Sequence, residues 1–538
     1  MGNGWNFGDV WEAAADDVPM SIALVHGNRR VTWADFDRRA NGLAARFVAE
    51  GLDRLDRVAL LMRNCPEYLE TTFATFKSST APVNTNYRYG VNELIYLWDN
   101  ADALAIVFAD EFVETCEVAR QQLAGVRLWV HVGPPERCPT WAVPYEDVTA
   151  ADSPRVRADQ RSGDDIIMQY TGGTTGMPKG VMWRHDDLFR MLEAANGSKL
   201  AGVTSPVEFV QTVRGRGVRV MPAAPLMHGT AAWFAMPALS RGGSIITLTG
   251  RSFDAIELLD TLVERRVSSV ALVGDVFVKP MLAALDDDPQ RWDLSHVRVV
   301  FSSGVMFSRD SKQRLMAYAP NALIVDNLGS QESGATGLST SSKGNLTETA
   351  QFTPAPGTRV IAEDGTVVVP GSGVRGRIAI TGFLPLGYHK DPEKTAQTFV
   401  LIDGERYVVP GDWAEVLADG SIRLLGRGSQ CINTGGEKVY PEEVEEVLKA
   451  LDGIRDAAVV GVPSERYGEQ VIAIIESDPA LSPSDEQLDS AARVHLAGYK
   501  MPKRILRVHT LQRGANGKLD YPALRAYALD QLGLGSNV

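Results

Sequence analysis

Tyr170-Thr171-Gly172-Gly173-Thr174-Thr175-Gly176-Met177-Pro178-Lys179-Gly180 is the stretch that decides how this chain is read. It follows the apolar run Ile166-Ile167-Met168 and precedes a helical pattern from Asp187. Glycines let a main chain curl around phosphate oxygens, amides and threonine hydroxyls donate hydrogen bonds, and Lys179 adds positive charge. A Walker A loop would place Gly directly before the lysine and Ser or Thr directly after it. Here Pro178 and Gly180 stand in those places. Three threonines, four glycines and a lysine within eleven residues fit an ordinary polar turn poorly. A polyphosphate ligand is the expectation.

Outward from this loop the chain alternates strand-like and helix-like segments. Val58–Leu61, Ala105–Phe108, Ile166–Met168, Ile245–Leu248, Ser269–Val273, Val297–Phe301 and Leu323–Val325 read as strands. Arg39–Glu50, Glu67–Lys77 and Phe253–Arg265 read as helices between them. Such alternation means an α/β fold with largely parallel sheets. After residue 350 shorter strands with Gly and Pro turns follow: Gly357–Ile361, Thr366–Val369, Arg377–Thr381, Tyr407–Val409 and Ser421–Leu425. They read as an antiparallel barrel or small sheet. Beyond Gly426 a helix (Pro441–Leu451) and two strands (Ala457–Gly461, Val471–Ile475) suggest a separate α+β unit. Two domains are expected, 1–426 and 427–538, since 538 residues exceed what one core serves.

Composition narrows the partners. Lys and Arg total 54 against 67 Asp and Glu, a formal charge of -13. That argues against a nucleic-acid backbone as the main partner. Cys65, Cys116, Cys138 and Cys431 are scattered, with no CxxC pair or finger-like histidine spacing, so reduced thiols in the cytoplasm are expected. Met1–Asn6 lacks the basic and apolar regions of a signal peptide. Val220–Leu239 is apolar enough to suggest a membrane span, but Pro222, Pro225 and Pro237 interrupt it; it reads as buried loop and strand lining a cavity. No transmembrane segment is expected. Gly371-Ser372-Gly373-Val374-Arg375-Gly376 matches a dinucleotide fingerprint, yet a strand follows it where a helix is required, so it reads as a turn.

Further segments carry a resemblance. Pro225-Leu226-Met227-His228-Gly229, Asn327-Leu328-Gly329-Ser330-Gln331-Glu332, Tyr407–Asp412, Gly426-Arg427, Gly435-Gly436-Glu437-Lys438-Val439-Tyr440-Pro441 and Asn516-Gly517-Lys518 recur in order behind the phosphate loop. In this set, covering nearly the whole chain, the sequence resembles the AMP-forming acyl-CoA synthetases of the adenylate-forming superfamily. The resemblance implies a large N-terminal domain of two α/β subdomains with a distorted β-barrel, then a small mobile α+β domain. It implies ATP, Mg2+ and CoA, and a hydrophobic acid activated as acyl-AMP and then passed to the CoA thiol.

Site residues follow from the same resemblance. Thr171, Gly172, Gly173, Thr174, Thr175, Gly176 and Lys179 would hold the phosphates that leave. Ser303, Gly304, Val305, Asn327, Leu328, Gly329 and Ser330 would line the nucleotide site. Asp412 would accept from the ribose hydroxyls and Arg427 would add a second contact. Glu332 and Thr171 would bind magnesium, since a hard cation suits oxygen donors. Lys518 would bridge the acyl carboxylate and the α-phosphate, and His228 would gate the acyl pocket. His228, Phe234, Gly304, Gly329, Gly435, Gly436 and Glu437 would serve the acyl chain and CoA, with a hinge at Gly428-Ser429.

Some positions depart from the family's habit: Gly172 where Ser or Thr is usual, Leu328 where an aromatic is common, Ser429-Gln430 at the hinge, and Gly376-Arg377-Ile378 where Glu usually follows the Gly. None removes a catalytic charge. Ala195–Arg219, ending in an Arg-rich run, reads as a solvated loop, with a lid or a contact for CoA phosphates as the sharper reading. The combination of Tyr170–Gly176, Trp183-Arg184-His185 and Cys431–Pro441 is similar to an actinobacterial-type subgroup acting on long-chain fatty acids or sterol side-chain acids. The main alternative is a ligase that hands acyl-AMP to a carrier protein. A luciferase-type oxidase has no supporting feature, and a non-enzymatic nucleotide sensor would be expected to lack Lys518, Glu332 or Asp412. Asp489-Ser490 lacks the preceding glycine of a pantetheine-carrier motif. The reading leaves room for peripheral membrane contact and a homodimer.

Overall fold

The computed structural model describes residues 4–150, 152–172, 177–198, 200–213, 218–304, 307–427, 432–439, 441–449, 451–477, 481, 483–512 and 519–534. It divides into two compact units. The larger comprises Met1–Tyr87, Trp98–Tyr170 and Gly180–Leu425; the smaller comprises Arg88–Leu97, Thr171–Lys179 and Gly426–Val538.

The first sheet is built on β1 (Arg57–Leu61), β2 (Ala81–Asn84), β3 (Ala103–Ala109), β4 (Leu128–Val132), β5 (Ile166–Gly172) and β6 (Pro178–Arg184). Its order is Gly387–Tyr388, β6, β5, β2, β1, β3, β4, Val143–Pro144. The pairs β1–β2, β1–β3, β3–β4 and β2–β5 are parallel. Apolar residues here run consecutively because both faces are covered. The helices α1 (Phe7–Asp17), α2 (Trp33–Ala49) and α3 (Pro66–Lys77) share an aromatic core in which the rings of Trp11 and Phe76 lie 5.3 Å apart and those of Phe36 and Phe73 5.0 Å apart. α2 begins six residues before the expected Arg39, because the Thr32 hydroxyl caps it by accepting from the Asp35 amide at 3.1 Å.

A second sheet carries β7 (Arg219–Pro222), β8 (Ser244–Thr247), β9 (Ser269–Leu272), β10 (Val299–Ser303), β11 (Leu323–Ser330) and β12 (Gly334–Ser341). β8, β7, β9, β10 and β11 are parallel neighbours in that order, and β12 turns back antiparallel on β11. The later strands do not close on themselves. Gln351–Pro354 pairs with both β12 and Ile422–Arg427, so they continue the sheet as its antiparallel end. Among the described residues no closed barrel forms; a small core of Val360, Ala362, Ile378, Ala414 and Ile422 fills this end. Thr366–Val369 is not a strand. Val367 and Val369 are exposed, and Val367 makes only an isolated bridge to Ile361. The glycine run at 371–376 is a turn leading into Arg375–Ile380, with Gly371 and Gly373 at φ +73° and +72°.

The smaller unit includes the start of α4 (Val91–Asn100). Its sheet contains the hairpin β13 (Ile432–Thr434) and β14 (Glu437–Val439), then β15 (Ile454–Ser464), β16 (Gly468–Ser477) and β17 (Arg504–Val508). Side chains alternate across β15 and β16. Ala457, Val459, Val471, Ala473 and Ile475 pack with Val444 and Leu448 of α7 (Pro441–Lys449). Ala458, Val460, Ile472 and Ile474 pack with Leu524 and Ala528 of α8 (Tyr521–Gln531). Burial on both faces explains why these strands read as unbroken apolar runs.

Candidate functional site

Two asparagines at the carboxyl ends of apolar strands organise the segment leading to His228. The Asn64 side chain donates to the carbonyls of Pro222 and Ala224, each at 2.9 Å, and accepts from the Leu226 amide at 2.6 Å. Asn84, the last residue of β2, donates to the carbonyls of Tyr170 at 3.0 Å and Met227 at 2.7 Å, and accepts from the Tyr170 amide. The end of β5 and the approach to His228 are thus fixed to one side chain. Neither asparagine stood out in the sequence. Their signal was position: in open α/β sheets ligands bind beyond the carboxyl ends of strands.

His228 is the N-cap residue of α6 (Gly229–Ser240), its carbonyl accepting from Ala231 and Ala232 at 3.1 and 3.0 Å. The stretch expected as loop and strand is therefore largely helix. Pro237 lies inside it, and burial of Ala231, Ala235, Met236 and Leu239 offsets the hydrogen bond that a proline cannot make. On this helix Phe234 stacks on Phe301 of β10 at 5.0 Å, and Trp233 meets the edge of Trp183 at 5.8 Å.

The Gln331–Ser333 turn joins β11 to β12. The Trp183 indole donates to the Gln331 carbonyl at 2.8 Å, and the Gln331 amide lies over Gly229, where an added Cβ would come within 2.8 Å of it. Glu332 is half-buried, and the Tyr388 hydroxyl donates to its Oε1 at 2.8 Å. Gly329 lets β11 approach β12 so closely that a Cβ would fall 2.0 Å from the Gly334 oxygen. Ser303 donates to the Asn327 carbonyl at 2.9 Å across the parallel β10–β11 pair. Gly304 turns away at φ +97° with open space around it. Three buried polar atoms along this wall lack a protein partner among the described residues: Asn327 Oδ1, Gln331 Oε1 and Trp233 Nε1. Leu328 packs partly against the antiparallel end of the sheet. Behind the wall, burial outweighs the Lys312 ammonium at 3.3 Å and pushes the Asp326 carboxyl up to about 6.

The glycine- and threonine-rich stretch from Thr171 leads from one strand, β5, to the next, β6, and α5 (His185–Ala195) comes only after β6. The helix expected from Asp187 begins two residues earlier, at His185, directly after the extended residues 180–184, whose Val181 and Met182 pair with Tyr388 and Gly387. Thr171 and Lys179 are half-buried on these strands, and Gly172 ends β5. Gly180 is required beside the Tyr170 ring, which an added Cβ would approach to 2.8 Å. Gly173, Thr174, Thr175, Gly176, Val305, Gly428, Ser429 and Lys518 lie outside the described residues. Asp412 opens Asp412–Val416 and is half-buried, and Arg427 closes Ile422–Arg427. Gly435 and Gly436 form the β13–β14 turn at φ +59° and +86°, with the Gly435 amide donating to the Tyr467 carbonyl at 2.8 Å. Glu437 is buried, and Arg88 donates to it at 2.8 Å. The 195–219 segment holds a helix, Pro206–Val213, anchored by Phe209 against Phe189 at 5.2 Å, and is not a plain solvated loop; Arg214–Gly217 lie outside the described residues. Among the described residues no helix is long and apolar enough to cross a membrane.

Comparison with known proteins agrees with this arrangement. The pattern of the AMP-binding enzyme family matches residues 11–388, and that of the AMP-binding enzyme C-terminal domain matches 443–518. The chain is 37% identical over 542 residues to a 3-oxocholest-4-en-26-oate–CoA ligase of Rhodococcus rhodochrous, covering 98% of this chain and 96% of that one. It is 37% identical over 529 residues to a medium/long-chain-fatty-acid–CoA/3-oxocholest-4-en-26-oate–CoA ligase of Mycobacterium tuberculosis H37Rv, covering 96% and 95%. Among solved structures, the amide bond synthetase McbA from Marinactinospora thermotolerans shares the fold at a TM-score of 0.79 and 22% identity, covering 96% of this chain and 99% of that one. With both domain patterns in order and full-length relatives above a third identical, the chain belongs to the AMP-binding enzyme family, among its AMP-forming acyl-CoA synthetases.

Proposed function

We propose that the chain activates a bulky hydrophobic carboxylic acid, a long-chain fatty acid or a sterol side-chain acid, and transfers it to CoA. The observation that carries this reading is the 37% identity, along essentially the whole length, to ligases named for such acids. The aromatic pair of Phe234 and Phe301 supports it, since a ring wall suits an apolar tail. Because those relatives are CoA ligases, CoA is favoured over a carrier protein as acceptor.

The chemistry needs charge neutralisation, because a carboxylate must attack an already anionic α-phosphate. Lys179 and the loop from Thr171 are assigned to the departing pyrophosphate, and Asp412 and Arg427 to the nucleotide. The unpartnered Asn327 Oδ1 is an acceptor suited to the amino group of adenine. Glu332 and the Thr171 hydroxyl are the magnesium ligands in this reading. Their oxygen donors suit a hard cation, which would offset phosphate charge, and Tyr388 orients Glu332. Lys518 is assigned to adenylation, and Gly435-Gly436 to passage of the pantetheine arm.

The test is incubation with ATP, magnesium and CoA against fatty acids of graded length and a sterol side-chain acid, with mass detection of products. Formation of a hydrophobic acyl-CoA with AMP and pyrophosphate is expected. Activity confined to short or aromatic acids, or acyl-AMP without any thioester, would overturn the reading.

A further inference from the structure

Within the smaller unit, the Lys500 ammonium lies 2.6 Å from the Glu93 carboxylate, and the side chains are only 2% and 4% exposed. The ammonium also sits 5.0 Å above the Tyr89 ring. Glu93 uses its other oxygen to accept from the Gly90 amide at 3.0 Å, ahead of α4. The partners are 407 residues apart, and most of the chain between them belongs to the larger unit. Arg88–Glu437 at 2.8 Å and the Asn92 amide to the Val494 carbonyl at 3.5 Å join the same two stretches.

We infer that Glu93 and Lys500 are positioning residues for the thioester-forming step: their pair clamps residues 88–97 to the C-terminal segment in that step's arrangement. A charge left buried without its partner is costly, whereas the same two charges in water attract only weakly. The pair therefore favours the one arrangement that buries both, and its effect vanishes when the C-terminal segment leaves. That arrangement also engages Glu437, which follows the Gly435-Gly436 turn assigned to the pantetheine arm. The inference rests on the two-step reading above. It adds that one half-reaction depends on this contact and the other does not.

The experiment compares Glu93→Gln, Lys500→Met and the double variant in separate half-reactions. Pyrophosphate release without CoA is expected to stay within about twofold of the parent, while thioester formation from supplied acyl-AMP slows roughly tenfold or more. The double variant should be no slower than the worse single one, because the clamp is already lost. Equal loss in both half-reactions, or an unchanged thioester step, would overturn the inference. Amide exchange of Val91–Leu97 in the ligand-free protein gives a readout independent of any acid. Faster exchange in Lys500→Met supports the clamp, and unchanged exchange overturns it. A parent that adenylates no acid counts against the proposed function and leaves that exchange readout intact.

Discussion

At Gly329 the main chain has no room for a side chain, since a Cβ would meet the Gly334 carbonyl at 2.0 Å. Gly329→Ala must push β11 from β12 beside Asn327 and Glu332, at about 1–3 kcal/mol. A lowered melting temperature with weakened ATP binding is expected. His185 presents the opposite case, a polar group enclosed by aromatic rings. Burial pushes its imidazole down to about 3 from the ordinary 6.5, and its Nδ1 accepts from the Phe7 amide at 3.3 Å. The folded chain holds this ring neutral while the unfolded chain protonates it below 6.5. Its contribution to stability is thus present above pH 6.5 and is lost as pH falls toward 3. His185→Gln keeps an acceptor and cannot titrate, so urea midpoints from pH 7 to 4 should fall less steeply than in the parent.

Between elements, Asn84 is the joint most exposed to test, because one side chain ties β2, β5 and the approach to α6. Asn84→Ala leaves the buried carbonyls of Tyr170 and Met227 short of a donor, costing about 1–3 kcal/mol. It also frees His228 to shift, and steady-state turnover should fall roughly tenfold or more. That joint was illegible in the sequence because its meaning lies in contacts up to 143 residues away. The elements were easier. Val58–Leu61, Ala105–Phe108 and Val471–Ile475 read correctly because burial on both faces leaves unbroken apolar runs. α6 was missed because Pro225 and Pro237 are local breakers, and only tertiary burial overrides them. The glycine- and threonine-rich stretch from Thr171 stood out, yet β6 behind it did not, since its pairing partners, Gly387 and Tyr388, lie some two hundred residues on. The open end of the second sheet was hidden for the same reason: short alternating strands look alike whether or not they close.

For the whole molecule, the proposed division of labour predicts that Lys518→Ala nearly abolishes pyrophosphate release while thioester formation from supplied acyl-AMP is much less affected. Rapid-quench measurement of both half-reactions checks this, and equal loss would count against the assignment. The six ordered segments made the overall chemistry readable, because a charge-neutralising site needs particular residue types in particular places. The membership of the smaller unit was not readable, since nothing in the composition of Arg88–Leu97 ties it to residues beyond 426. Its discontinuity bears on biosynthesis. Glu93 leaves the ribosome 407 residues before Lys500, a wait of roughly 20–80 s at ordinary translation rates. Throughout that interval a nascent carboxylate meant for enclosure stands in water, so a segment made much later must complete a surface laid down well before it.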